Sequence, residues 1–145
     1  MAKSSKLLTI MKIVTALVFV AAVVGSAARM NDRAERDLSG VPDAVSSTVR
    51  GGACSLTVAA NADVIEDKEA FAREAVWMCR ENSFRSLRLS TDIAGWPERV
   101  YITVYLHRED AGKEQPVMRI RYEPAESGAE CNIKDDPDKY ILSIE

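Results

Sequence analysis

The sequence predicts an α+β fold: an N-terminal hydrophobic helix, then a small two-layer domain with one helix packed on a mostly antiparallel sheet. Three observations predict it. An apolar run fills residues 7–28, helical periodicity follows residue 63, and several short stretches alternate apolar with polar residues. The predicted order of the domain is β-α-β-β-β-β. A chain of 145 residues with 28% charged residues fits one such domain plus an added segment.

The N-terminal run reads LLTIMKIVTALVFVAAVVGSAA and contains one charged residue, Lys12. As a helix it would span about 33 Å, enough for a hydrocarbon core of about 30 Å. Lys12 lies close enough to one end for its long side chain to reach the interface. Residues 1–30 are therefore predicted to form a single-pass transmembrane anchor, with the membrane contacted by residues 7–28.

A cleaved signal peptide is the alternative for the same residues. Gly25 interrupts the apolar run, and Ser26-Ala27-Ala28 resembles a cleavage site of small residues. Under the first interpretation the protein is a membrane protein with its C-terminal domain outside the cytoplasm. Under the second it is a secreted or periplasmic protein.

Charge is distributed unevenly along the chain. Residues 1–36 carry six Lys or Arg against two Asp or Glu, whereas the remainder carries 13 against 20. Binding to nucleic acid requires a basic surface that displaces counterions from phosphates. The acidic residues 37–145 therefore argue against nucleic acid as a partner. The basic residues within 1–36 are typical of the flanks of a membrane segment.

Residues 31–52 are predicted to be a juxtamembrane helix and linker. Alternating charges in residues 29–36 favour a short helical continuation. Pro42 could begin one further helical turn, and the Ser-rich and Gly-rich residues 46–52 are typical of a tether. The exported domain is accordingly expected to occupy residues 53–145.

The domain is expected to begin with a strand and a helix. Residues 54–60 alternate as a half-buried strand does. Asp63 and Glu66 have the spacing of a helix N-cap, and the helix should reach about Asn82. One face of that helix is apolar, whereas Trp77 lies on the charged face, where an exposed aromatic ring can contact a partner.

Period-2 alternation predicts four more strands, with turns at residues 95–97 and 109–113. These strands are residues 84–91, 100–107, 117–123 and 140–144. With one helix, such strands form an α+β sandwich of two layers.

The three cysteines suggest a structural role in an oxidising compartment. Cys54 opens the first strand and Cys79 lies near the end of the helix that returns over it, so their side chains should meet. We predict a Cys54–Cys79 disulfide, with pairing to Cys131 or two buried thiols as alternatives. An unpaired Cys131, flanked by charged residues, is expected to be exposed.

The solvent face of the sheet is the candidate partner-binding surface. If Val100, Ile102 and Val104 point inward, the intervening tyrosines point outward, and neighbouring strands add arginines. Tyr and Arg dominate the energetics of protein interfaces, although cross-strand packing that only solubilises the sheet is the simpler alternative. The predicted partner-binding residues, including the helix tryptophan, are Tyr101, Tyr105, Arg88, Arg119, Arg121 and Trp77.

Catalytic and metal motifs are not evident. His107 is the lone histidine and sits at a predicted hairpin end, where it is expected to be solvated. The acidic run at residues 135–138 lacks EF-hand spacing and is interpreted as a plain turn. No cofactor, metal or enzymatic activity is predicted. The sequence instead favours a membrane-anchored accessory or interaction protein that docks a protein partner, with a secreted binding or inhibitor protein as the alternative.

Overall fold

The structure is a computed structural model and describes residues 36–145. The predicted anchor or signal segment and the juxtamembrane residues up to 35 lie outside the described residues. Within residues 36–145, no helix combines the length and apolar character needed to cross a membrane.

One helix and five strands make up the domain, and the strands lie in the sheet in chain order. They are β1 (Asp43–Arg50), β2 (Ala53–Ala59), α1 (Lys68–Glu81), β3 (Arg99–Tyr105), β4 (Met118–Pro124) and β5 (Tyr140–Ile144). Only the β2–β3 pairing is parallel, and α1 forms the crossover between these two strands. The α+β class is confirmed as one helix on a five-strand mixed sheet, but the order is β-β-α-β-β-β.

The predicted linker up to residue 52 is wrong in its second half, because residues 43–50 form edge strand β1. β1 joins β2 through Gly51 and Gly52, both at positive φ, as a two-residue hairpin turn requires. The carbonyl of Gly52 also accepts hydrogen bonds from the amides of Glu98 and Arg99, at 2.8 and 3.3 Å. The Gly-Gly pair is therefore a hairpin signal rather than a tether, and the folded domain begins before residue 53.

Helix α1 begins four residues later than the Asp63 cap predicted. Asp67 is the N-cap, and its side chain accepts a hydrogen bond from the Ala70 amide at 2.9 Å. The helix ends at Asn82, which adopts the left-handed conformation. Its predicted apolar face is confirmed, since these helix residues are buried: Phe71, Ala72, Ala75, Val76, Met78 and Cys79.

The strand predicted at residues 84–91 is absent, and an irregular loop occupies these positions. Asn82 closes the loop: its side chain accepts from the Leu89 amide at 2.7 Å and donates to the Leu89 carbonyl at 3.0 Å. Phe84 and Leu89 are buried in the core. The alternation of apolar residues therefore reflects the side chains that enter the core. It does not reflect a strand hydrogen-bonded to a neighbouring strand.

Strands β3, β4 and β5 match their predictions within two residues at each end. One face of the sheet packs against α1 and supplies most of the core. Its buried residues on β2, β3 and β4 are Cys54, Leu56, Val58, Val100, Ile102, Val104, Met118, Ile120 and Tyr122. Tyr122 stacks on Tyr140 of β5 with ring centroids 4.6 Å apart, which extends this core to the last strand.

Candidate docking surface on the open face of the sheet

The face of the sheet opposite α1 is the candidate site, and we call it the open face. Strand register defines it, because side chains alternate between the two faces and paired residues share a face. Within residues 36–145 no helix covers it. The register also places Asp43 and Ala59 beside Tyr105. Both are buried, because loop residues contact Asp43 at this end of the face. From β1 to β5 the exposed and half-buried residues of the open face are Ser46, Thr48, Arg50, Ala53, Ser55, Thr57, Arg99, Tyr101, Thr103, Tyr105, Arg119, Arg121, Glu123, Ile141, Ser143 and Glu145.

Two tyrosines of β3 form the centre of the open face. Tyr101 lies opposite Arg121 on β4 and Ser55 on β2, while Tyr105 is paired with Ala59 at one end of the strand. Both rings are half-buried. The Tyr101 hydroxyl donates to Glu123 at 2.6 Å, and this bond is the main reason that the pKa of Tyr101 is raised. That bond fixes the Tyr101 ring against the sheet.

The two arginines of β4 differ in their surroundings. Arg121 forms an ion pair with Glu145 at 3.4 Å, and both side chains are about half exposed. Such a pair contributes little to stability because water screens it. Arg119 lies opposite Thr103 on β3, and its side chain has no ion-pair partner within residues 36–145. Arg119 is therefore the more available of the two for an external carboxylate.

Hydroxyl side chains fill the open face between the tyrosines and the sheet edge. The register places Thr48, Ser55 and Tyr101 in one row across three strands. Ser46, Thr57 and Thr103 form the adjacent row. These side chains are shorter than the two tyrosines beside them.

Two of the six predicted partner-binding residues lie elsewhere. Arg88 belongs to the loop after α1, where its guanidinium donates to the Asn82 carbonyl at 2.7 Å. Trp77 is on α1, in the other layer, and is 55% exposed. The structure therefore brings together Tyr101, Tyr105, Arg119 and Arg121, and separates them from Arg88 and Trp77.

His107 is buried, contrary to the prediction that it would be solvated. It is 6% exposed, and its Nε2 lies 3.1 Å from Oδ1 of Asp63. Its Nδ1 is the one buried side-chain nitrogen or oxygen within residues 36–145 that has no hydrogen-bond partner. Within the same range, no group of three His, Cys, Asp or Glu side chains is arranged to hold a metal ion.

The cysteines are free thiols and all three are buried. The predicted Cys54–Cys79 disulfide thus finds no support in the structure, although both thiols lie in the same core cluster. Burial raises the pKa of Cys54 to about 11 and raises that of Cys79 further. Cys131, expected to be exposed, is 7% exposed, with its Sγ 3.7 Å from the Ala129 carbonyl.

A cluster of hydrogen bonds around Asp43 was not predicted from the sequence. Asp43 is 3% exposed and accepts hydrogen bonds from the amides of Arg85 and Ser86, from the Ser86 hydroxyl and from Arg108. The sequence offers only the Pro42-Asp43 pair at the start of β1, which resembles an ordinary turn. Each partner belongs to the domain's own loops, so the cluster is structural.

Comparison of the chain with protein-family models, curated proteins and solved structures found no match. Function is accordingly inferred from the fold and from the side chains on its surface.

Proposed function

We propose that the protein is a single-pass membrane-anchored accessory protein whose exported α+β domain docks a protein partner through the open face. The observation that carries the proposal is the second face of the sheet, which no helix of residues 36–145 covers. The other face packs against α1 and supplies the core. Tyr101, Tyr105, Arg119 and Arg121 are therefore available for recognition.

The chemistry of the open face favours a protein partner. Tyrosine presents a large, rigid ring with a polar end, and arginine presents five donors in a planar fork. Both residue types are enriched at the energetic centres of interfaces. Five strands about 4.8 Å apart and about 20 Å long make a patch whose size suits a modest or transient interface.

A binding role is preferred over a catalytic one because the best catalytic candidate is already engaged. His107 is buried and its Nε2 contacts Asp63. General acid–base catalysis needs a side chain that can reach a substrate. No histidine meets that need on the open face.

The membrane part of the proposal depends on residues 7–28. We expect the full-length protein to remain in membranes through carbonate extraction and to keep its N-terminal residues by intact mass. A soluble species that lacks about 28 residues would instead support the alternative, a secreted or periplasmic binding or inhibitor protein.

Docking can be tested by photo-crosslinking in the native host. A photoreactive residue at Thr103, in the middle of the open face, should give one defined adduct in membranes. The triple variant Tyr101→Ser, Tyr105→Ser, Arg119→Ser should abolish that adduct because it removes the aromatic rings and the free guanidinium. Its thermal midpoint should stay close to that of the wild type, since none of the three residues belongs to the core.

The matched control changes three exposed residues on the outer face of α1, namely Glu69, Arg73 and Glu74, to alanine. This variant should keep the Thr103 adduct. An adduct that persists in the open-face variant, or that forms equally from a probe at Glu74, would contradict docking through the open face. Unfolding of the open-face variant would mean that these side chains belong to the core.

A further inference from the structure

The charges of the domain are segregated between the open face and the rest of its surface. The open face carries four basic side chains, Arg50, Arg99, Arg119 and Arg121, against two acidic ones, Glu123 and Glu145. Residues 37–145 outside this face carry nine Arg or Lys against eighteen Asp or Glu. A basic patch therefore lies on an otherwise acidic domain.

Local contacts within the described part of the chain leave two of these four positive charges without an ion pair. Arg121 pairs with Glu145 at 3.4 Å, and Arg99 pairs with Glu98 at 3.7 Å. Glu123 accepts a hydrogen bond from the Tyr101 hydroxyl. Arg119 and Arg50 have no ion-pair partner within residues 36–145. Arg119 and Arg121 are two positions apart on one strand, so their Cα atoms are separated by about 7 Å. This distance matches the spacing of alternate side chains on an extended peptide.

We propose that the open face binds an acidic, extended segment of the partner protein, an inference that rests on the proposed docking function. One carboxylate of the segment pairs with Arg119, and a second replaces the exposed Glu145 at Arg121. Arginine can form bidentate contacts with such carboxylates. Tyr101 and Tyr105 contact the apolar parts of the same segment. Six or seven extended residues reach across the patch, which is about 20 to 24 Å wide.

The acidic remainder of the domain favours a short peptide over a long polyanion. Electrostatic interactions extend about 8 Å at physiological ionic strength. A nucleic acid or an anionic lipid surface would extend beyond the patch and meet the acidic surroundings. A segment of six or seven residues meets only the open face, so it gains the attraction without that repulsion.

The four tyrosines of the chain permit a direct test. Tyr101 and Tyr105 lie on the open face, whereas Tyr122 and Tyr140 stack on the opposite side. The full-length protein is labelled with 3-fluorotyrosine in zwitterionic micelles and titrated with an octaglutamate peptide. We expect saturable ¹⁹F shifts for Tyr101 and Tyr105, smaller shifts for Tyr122 and Tyr140, and loss of binding in 0.5 M NaCl.

Charge reversal supplies the specificity control. Arg119→Glu combined with Arg121→Glu should weaken octaglutamate binding at least tenfold. Lys113→Glu, a reversal at an exposed residue in the β3–β4 connection, should change it less than twofold. Octalysine should produce no saturable shift of Tyr101 or Tyr105.

Several outcomes would overturn the inference. The inference is overturned if octaglutamate at about 10 mM gives no saturable shift, or if octalysine shifts Tyr101 and Tyr105 equally. It is also overturned if the Arg119→Glu, Arg121→Glu variant binds octaglutamate as tightly as the wild type, or if single-stranded DNA or anionic vesicles bind more tightly than octaglutamate. If the Thr103 adduct forms while the octaglutamate titration fails, docking stands and only the acidic partner is refuted. If the adduct is also missing, the docking function itself is refuted.

Discussion

The guanidinium of Arg108 donates a hydrogen bond to the Asp43 carboxylate at 3.0 Å across 65 positions of sequence. Arg108 also donates to the Ser86 hydroxyl at 2.8 Å, and that hydroxyl donates to Asp43. The three residues come from the start of β1, the loop after α1 and the turn after β3. The buried carboxylate therefore connects three separate segments by hydrogen bonds at one end of the sheet.

Replacing Asp43 by asparagine should destabilise the domain by about 1–3 kcal/mol, because charge-assisted hydrogen bonds from Arg108 and two backbone amides are weakened. Urea unfolding followed by circular dichroism measures the effect. Asp92→Asn, at an exposed loop residue, is the matched control and should change the free energy of unfolding by less than about 0.5 kcal/mol. Equal effects of the two variants would show that Asp43 does not fasten the segments.

The same carboxylate should make stability depend on acid pH. Burial raises the pKa of Asp43, but hydrogen bonds from Ser86 and Arg85 and the charge of Arg108 together lower it below the usual value. The Asp43 carboxylate therefore contributes fully to the free energy of unfolding above about pH 4, where it is ionised in the unfolded chain as well. This contribution is lost as the pH falls through the lowered pKa of the folded protein. The difference in unfolding free energy between wild type and Asp43→Asn should shrink between pH 7 and pH 3. A constant difference would refute the linkage.

Asn82 should be sensitive to substitution for two separable reasons. Its φ of 51° is unfavourable for most residues, and its side chain makes two hydrogen bonds to Leu89. Asn82→Ala should cost about 2 kcal/mol, and Asn82→Gly should cost less because glycine accepts this backbone conformation. Chemical denaturation of both variants separates the cost of the backbone conformation from the cost of the lost side-chain hydrogen bonds. An alanine variant as stable as the glycine variant would exclude backbone strain at this position.

The three cysteine thiols should react with an alkylating agent much faster in the unfolded protein than in the folded one. Burial and the raised pKa of Cys54 and Cys79 should make native alkylation slow, whereas the denatured, unoxidised protein should show three reactive thiols. Intact mass after alkylation gives the count. In denatured protein recovered from an oxidising compartment, one reactive thiol would instead reveal a disulfide, which Cys54→Ser and Cys131→Ser variants would assign.

Local patterns accounted for much of the fold. Alternation at β2, β3, β4 and β5 predicted those strands, and 3.6-residue periodicity predicted the buried face of α1. These signals work because a strand or helix packed on one side needs apolar residues at its own period. The tyrosine and arginine positions of β3 and β4 followed from the same alternation.

Other features depended on pairing and hydrogen bonds that alternation along one segment does not show. β1 contains a polar stretch, Ser46-Ser47-Thr48, that becomes a strand because β2 supplies its hydrogen-bond partners. The loop with Phe84 and Leu89 alternates as a strand does, yet Asn82 closes it and its side chains fill the core. Periodicity reports which side chains are buried and does not report which backbone groups are paired.

The sequence by itself determined the α+β class, the apolar N-terminal segment, the acidic character of the domain and the outward positions of the tyrosines and arginines of β3 and β4. Each depends on residue type and short-range spacing alone. The tertiary structure decided that β1 belongs to the sheet, that Arg88 and Trp77 lie away from the open face, and that Asp43 and His107 are buried. The burial of Asp43 and of His107 depends on contacts between residues at least 42 positions apart, and β1 is a strand because it pairs with β2. Local periodicity encodes none of these contacts.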